Sequence, residues 1–299
     1  MADMQHPYAT EAYAQTLGHI GRPVAVPEWG CSVLARPIDG EREDVTGCYP
    51  VATLTADADI VGGLTRLRDL GFVSVTLAID DFHRPPIPAL EQTFDLVRPF
   101  KSHFLVSGGL DAYRPSDHHR YEIKRAINMV RTTSIDLKAY AAEWGQLYAA
   151  LGERHQFGQA HAFPASSFDA LADIPGVETI GGFCDGQMVS CHIWIRDRDT
   201  VHSHLAASSP LGYCRRAAYA VNDASVRYFA DARIINFGGG AGLNDVSDNG
   251  LARFKKGFSN AVAPSYICGA VLDAKAYAAL SSARAPASAS GFFPAYRAR

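Results

Sequence analysis

The sequence predicts an α/β protein with mixed sheets, divided into two lobes, and three observations carry that prediction. First, residues 57–70 read as a helix, Gly71 as its stop and 72–79 as a buried apolar strand, which together make half of a βαβ unit. Second, residues 177–183 and 188–195 flank Asp185-Gly186, the dipeptide that favours a tight hairpin, and a third strand follows at 200–207. Third, a long helical stretch at 213–229 separates that strand from the next, at 233–237. A crossover helix of this kind places the two strands parallel, so the sheet is mixed and splays where they meet.

Taken in order, residues 31–36 and 49–54 are β-like. Asp57 reads as an N-cap, with Ile60, Leu64 and Leu67 at helical spacing behind it. Pro85, Pro86 and Pro88 break the chain before a short helix at 89–96, and 102–106 reads as a strand. The stretch 108–117, rich in glycine, proline and polar residues, marks the boundary between halves. A basic helix follows at 118–126. The helix at 137–151 carries Tyr140, Trp144, Leu147, Tyr148 and Leu151 on one stripe, as a core-facing helix does. After the strand at 233–237 come the loop Gly238-Gly-Gly-Ala-Gly242, a segment at 251–258, a strand at 265–272 and a helix at 274–280. Residues 281–299, rich in Ala, Ser and Pro, read as a flexible tail. The expected domains are 1–112, 118–280 and the tail 281–299.

Composition narrows the class. No apolar run approaches the ~18 residues of a membrane helix, and the N-terminus lacks a basic region followed by an apolar core. Six scattered cysteines without a Cys-x-x-Cys pair argue against a zinc site or a disulfide framework, so a cytoplasmic protein with buried thiols is expected. A net charge of −3 argues against a protein that coats DNA. From Leu211 onward there are 11 Lys and Arg against 5 Asp and Glu, a basic third suited to phosphates or to a solvated face.

The chemistry concentrates near the end. Asn236-Phe-Gly-Gly-Gly-Ala-Gly242 ends a strand in a flexible loop, and Arg253-Phe-Lys-Lys-Gly-Phe258 supplies two adjacent lysines between aromatics. Strand end, glycine loop and fixed cations suit anion binding or stabilisation of a developing oxyanion. The glycine run is not a dinucleotide loop, which needs a following helix, a parallel strand and an acidic residue ~20 positions on. Asn236 is placed to bond a donor or acceptor, with a turn role as the alternative. His204 on the third strand is a candidate base, Tyr266 a candidate acid, and core packing is the other reading of each. His118 and His119 point about 100° apart on a helix, so no metal site is expected there, and the segment reads as solvated or phosphate-facing. Arg120 is the candidate phosphate contact. Cys214 lacks a histidine partner for covalent catalysis.

This order of elements resembles the Gcn5-related acyltransferase (GNAT) superfamily. Ser203-His-Leu-Ala-Ala207, the crossover helix with Ala217, Tyr219, Ala220 and Asn222, Asn236-Phe-Gly-Gly-Gly and Arg253-Phe-Lys-Lys-Gly-Phe258 resemble its Fem-type branch. In that branch two acetyltransferase-like domains are fused and aminoacyl groups are transferred. Residues 119–126 are similar to its joining segment, and 67–82 with Phe100-Lys-Ser-His-Phe104 to its degenerate first domain. The resemblance implies two GNAT-like lobes, the first degenerate. It implies Lys255 facing the oxyanion with Phe254 walling the site. The loop Ser208-Ser-Pro-Leu-Gly-Tyr-Cys-Arg215 stands where CoA-using relatives carry a glycine-rich pyrophosphate loop. Ser208, Gly212, Tyr213 and Arg215 are therefore candidate donor contacts, but a single glycine is a poor CoA loop. The implied activity is acyl or aminoacyl transfer to a small-molecule amine, with no tightly bound cofactor. Charged tRNA, through its 3′ end, is the expected donor. The alternatives are an acyl-CoA-dependent N-acetyltransferase and a binding protein that kept the scaffold without turnover.

Overall fold

The computed structural model of the chain describes residues 5–158, 161–242, 249–284 and 291–298. The helices and strands run α1 (Glu11–Thr16), β1 (Arg22–Val26), β2 (Cys31–Pro37), β3 (Glu43–Gly47), α2 (Ile60–Asp69), β4 (Ser74–Ile79), α3 (Ile87–Glu91) and β5 (Leu96–Ser107). They continue with α4 (Asp117–Ala126), β6 (Arg131–Ile135), α5 (Ala141–His155), α6 (Ala165–Ala172), β7 (Val177–Cys184), β8 (Gln187–Asp197) and β9 (Thr200–Ser208). The last are α7 (Pro210–Cys214), α8 (Ala217–Tyr228), β10 (Ile234–Asn236), α9 (Gly250–Lys256), β11 (Ala261–Val271) and α10 (Ala274–Arg284). Two compact units result. One holds the described residues up to Phe100 and from Pro264 onward, the other Lys101–Ala263. The sequence reading set its division at 113–117 and kept 264–280 in the second lobe. In the structure 113–117 lies inside the second unit, and the chain returns to the first unit within β11.

The first unit carries strands in the order β1-β2-β3-β4-β11. β3 and β4 are parallel, and β4 and β11 antiparallel, with Tyr266 opposite Ile79. Trp29, Val33, Leu67, Leu77 and Cys268 belong to its core. The N-cap of α2 is Asp59, not Asp57. Asp59 Oδ1 accepts the Gly62 N–H at 2.9 Å, and Leu70 ends the helix before left-handed Gly71. Residues 49–54 form one isolated bridge rather than a strand; the strand is β3 instead. Its Glu-Asp-Val-Thr-Gly sequence conceals it because Asp44 points inward.

Asp44 is fully buried and paired with Arg36 and Arg297, and Tyr296 donates to it at 3.1 Å. The expected flexible tail is therefore corrected wherever it is described. Residues 281–284 extend α10, and Tyr296 is buried with its hydroxyl 2.7 Å from Ser74 Oγ. Residues 285–290 lie outside the described residues.

The second unit orders its strands β5-β10-β9-β8-β7-β6. All neighbours are antiparallel except β9 and β10, which are parallel as expected. The Asp185-Gly186 turn has φ of 48° and 83°, the left-handed pair such a hairpin needs. β6 was not foreseen, since Arg131-Thr-Thr-Ser-Ile135 has no apolar alternation and, among the described residues, pairs with β7 alone as an edge. α6 was also missed. The crossover is two helices, α7 and α8, broken at Arg216, whose φ is 57°. Trp194, Phe229, Phe237 and Phe258 centre the core, and Trp144, Leu147 and Tyr148 bury the expected stripe of α5. Among the described residues no helix is long and apolar enough to cross a membrane.

Candidate functional site

The site in the second unit begins where β9 and β10 separate. Their pairing runs only from Ile234↔Thr200 to Asn236↔His202. Beyond it, residues 237–238 stay with β5, where Phe237 N–H donates to Phe104 O and Phe104 N–H to Gly238 O. β9 instead follows β8 as far as Ser208↔Ser190. A bulge at His204 adds a residue to β9 and bends it. The edge of β9 from Ser203 onward therefore continues without β10.

Asn236 closes the mouth of this gap. Its Oδ1 accepts the Gly238 N–H at 2.8 Å, and its Nδ2 lies 3.2 Å from His103 Nδ1 and 3.4 Å from His202 Nδ1. An amide nitrogen only donates, so both imidazoles accept there and carry their proton on Nε2 when neutral. Every polar hydrogen of the Asn236 amide is engaged by protein. The structure thus places Asn236 at the hub of the turn.

Past Asn236 the chain turns at Gly238, with φ of 73°, and two lysines grip the loop that follows. Lys255 Nζ donates to Gly239 O at 2.7 Å. Lys101 Nζ donates to Gly240 O at 2.9 Å and to Gly242 O. A Cβ at position 239 would lie 3.0 Å from the Lys101 stem, so the glycine admits the lysine. Lys255 is delivered by α9, whose start is capped by Asn249 Oδ1 on Ala252 N–H at 2.8 Å. Phe254 and Phe258, four residues apart on α9 and just beyond it, face the same aromatic core. The Lys255 side chain keeps part of its surface, but its ammonium end is enclosed. That burial, and then repulsion from Lys101, lowers its pKa to about 7. Among the described residues the ammonium makes one hydrogen bond and has no carboxylate partner, which leaves two N–H groups for a ligand.

His192 on β8 is buried and stacked on Trp194 at 3.9 Å, with Nε2 2.8 Å from Ser203 Oγ. Burial first, and then the Lys255 charge, lowers its pKa to about 3. His204 is buried beside Phe163, and burial likewise lowers its pKa to about 3. A general base works best with a pKa near the working pH, so both rings are weak bases at neutrality, and His204 reads as packing.

The remaining candidates fall in separate places. Phe254 is half-buried, 5.0 Å from the Tyr219 ring. Tyr266 belongs to the first unit, its ring beneath the Arg84 guanidinium at 5.3 Å. Ser208 Oγ is buried against Ser190 Oγ at 2.8 Å. Gly212 is required by close packing, since a Cβ there would lie 2.1 Å from Val189 O. Tyr213 is exposed beneath the Arg154 guanidinium, 4.2 Å from its ring centroid, and Arg215 is exposed beside Met129. Arg120 is exposed and paired with Asp117. The basic residues of α4, Arg120, Lys124 and Arg125, are exposed as expected, whereas His119 on its inner face is buried with only 4 % of its surface exposed. A cavity of about 270 Å³, lined in part by Tyr140, Gln146, Phe183, Gln187 and Ser209, adjoins the start of α7 and does not reach Lys255.

The structure thus gathers Asn236, Lys255 and the unforeseen Lys101 around one loop, and Ser208, Gly212, Tyr213 and Arg215 around α7. His103, His192 and His202 were also missed. Their only signal was a polar residue at an inward strand position.

No family model matches the chain, and no curated protein matches it in sequence. Solved structures do match in fold. FemX superposes with a TM-score of 0.64 at 12% identity, over 92% of this chain and 95% of that one. The C-terminal domain of a protein designated a lysylphosphatidylglycerol synthetase, from Agrobacterium fabrum, gives 0.60 at 13% identity over 89% of each chain. L-PGS from Bacillus licheniformis gives 0.58 at 13% identity, over 89% of this chain and 93% of that one. The chain therefore shares the α/β fold of FemX and of these two further structures.

Proposed function

We propose that this chain is an N-acyl or N-aminoacyl transferase that moves its acyl group from a charged tRNA 3′ end to the amine of a small molecule. The carrying observation is the Lys255 ammonium, enclosed three residues past the end of the β9–β10 pairing with two N–H groups uncommitted among the described residues. When an amine nitrogen attacks the donor's carbonyl carbon, the carbonyl electron pair moves onto oxygen. In this reading Lys255 donates hydrogen bonds to that oxyanion. The carbon–oxygen bond to the ribose then breaks, and the amine proton goes to the departing ribose oxygen. The low pKa of His192 and His204 supports a path in which the proton passes within the substrates. Burial and the Lys101 charge hold the Lys255 pKa well below the ordinary lysine range, and a developing negative charge favours its charged form.

The donor loop supports tRNA over CoA. A pyrophosphate cradle needs uncommitted backbone N–H groups. Here Ser209 N–H donates to Val189 O, Gly212 N–H to Ser209 Oγ and Tyr213 N–H to Ser209 O, so those groups are spent within the loop. A charged-tRNA donor implies a cytoplasmic reaction. The fold neighbours named FemX and lysylphosphatidylglycerol synthetase agree with the aminoacyl reading.

The test pairs donor binding with turnover. Charged tRNA or its acceptor-stem mimic should raise the melting temperature while CoA does not. Lys255→Ala should lower transfer to a panel of amines by about 10²–10³, with Lys256→Ala near wild type. Stabilisation by CoA alone would favour the acetyltransferase alternative. Stabilisation by neither would favour a binding protein, and equal small losses in the two variants would remove Lys255 from the mechanism.

A further inference from the structure

We propose that His119 is a positioning residue whose ring fixes the end of α9 so that Lys255 is held in the site. The proposal rests on the role given to Lys255 above, but its geometry stands separately. His119 lies in the first turn of α4, with Nε2 2.8 Å from Phe254 O and Nδ1 3.0 Å from Ser116 Oγ. A carbonyl oxygen only accepts, so Nε2 carries the proton. Ser116 Oγ accepts the His119 backbone N–H at 3.3 Å and gives its own proton to Nδ1. Both ring nitrogens are thus committed in one neutral tautomer. Burial is the main reason the ring's pKa is lowered, with His118 adding to it and Phe254 O and Glu122 opposing.

The bond to Phe254 O meets a specific need. In a longer helix this carbonyl would accept the N–H of Phe258. Here the helix stops, and the Phe258 N–H donates to Lys255 O instead. Without His119 the Phe254 carbonyl would lose its acceptor role next to a crowded aromatic cluster. Ser116 N–H donates to Gly257 O at 2.9 Å, so residues 116–119 hold the chain on both sides of Lys255. The imidazole also lies directly on Gly257, where a Cβ would fall 1.9 Å from its Cε1. Tyr219 and Phe258 enclose it at 5.0 and 4.6 Å. The Phe254 carbonyl and the Lys255 nitrogen share one rigid peptide plane. Fixing that oxygen therefore fixes the direction in which the Lys255 side chain leaves the backbone, toward Gly239 O and the charge of Lys101.

The experiment compares His119→Ala with His119→Gln, whose amide keeps a donor at the position of Nε2. Competitive acetylation of the full chain across pH, followed by peptide mass spectrometry, reads the titration of Lys255 without any substrate. The wild type should titrate near neutrality. His119→Ala should move Lys255 upward by about one pH unit or more, toward an ordinary lysine, while His119→Gln stays with the wild type. In transfer assays His119→Ala should lower kcat and leave KM in place, with His119→Gln restoring kcat. If His119→Ala does not fold, His119→Asn takes its place, since its shorter amide falls short of Phe254 O. A folded variant without the donor that titrates like the wild type would overturn the proposal. A shifted Lys255 in a chain that shows no transfer would uphold the positioning and count against the transferase reading instead.

Discussion

Replacing Lys255 with Met removes the charge, keeps a similar length of apolar stem, and tests the electrostatics of the site without any knowledge of substrate. The folded pKa of about 7 lies below the ordinary 10.5, so the folded state disfavours the charged form. At ~1.4 kcal/mol per tenfold change, that gap corresponds to about 5 kcal/mol held against folding when the lysine is charged in both states. Below pH 7 the whole cost is present. Between pH 7 and 10.5 the unfolded chain binds the extra proton, so wild-type stability rises with pH as the folded lysine discharges. Lys255→Met has no such dependence. It should be the more stable protein at pH 6, and its advantage should shrink by about 2–3 kcal/mol by pH 9. For a body of this size that is a narrowing of roughly 5–10 °C in the difference between melting temperatures. Differential scanning fluorimetry of both proteins in matched buffers from pH 6 to 9 measures it. A stability difference that stays constant over that range would show Lys255 titrating as an exposed lysine, and the enclosed ammonium would lose its basis.

Asp44→Asn strips the buried carboxylate from Arg36 and Arg297, and should destabilise the chain by about 3–5 kcal/mol in urea unfolding. A cost below about 1 kcal/mol would mean that the pairing is a surface-like one. Gly212→Ala sets a Cβ against Val189 O, so a loss of about 1–3 kcal/mol is expected; unchanged stability would show that α7 can shift at no cost. Tyr213→Ala removes the ring beneath Arg154, and should raise the KM for the donor while leaving kcat with saturating donor unchanged. An unchanged donor KM would separate α7 from donor binding.

Much of the second unit was legible because its signals are local. The Asp185-Gly186 turn, the apolar strands on either side of it and the helix between β9 and β10 each depend on residues close in sequence. The parallel pairing then follows from chain direction alone. The elements that were missed lack such signals. β6 is a polar edge strand, and β3 hides its alternation behind Asp44, whose partners Tyr296 and Arg297 lie at the other end of the chain. The tail read as flexible from its composition, yet a single aromatic and a single arginine bind its last described residues to that carboxylate.

The candidate site divides in the same way. The sequence alone determined that a glycine loop follows a strand end and that a lysine pair comes soon after, since both are written in contiguous residues. Only the tertiary structure decided that Lys255, not Lys256, is enclosed, and that Lys101 shares its loop. It also decided that Asn236 spends its amide on two histidines, and that His119 reaches across to the end of α9. The physical reason is that a pKa or a hydrogen bond depends on what surrounds an atom in space. Lys101 and Lys255 meet on adjacent carbonyls although the chain that separates them forms most of a sheet.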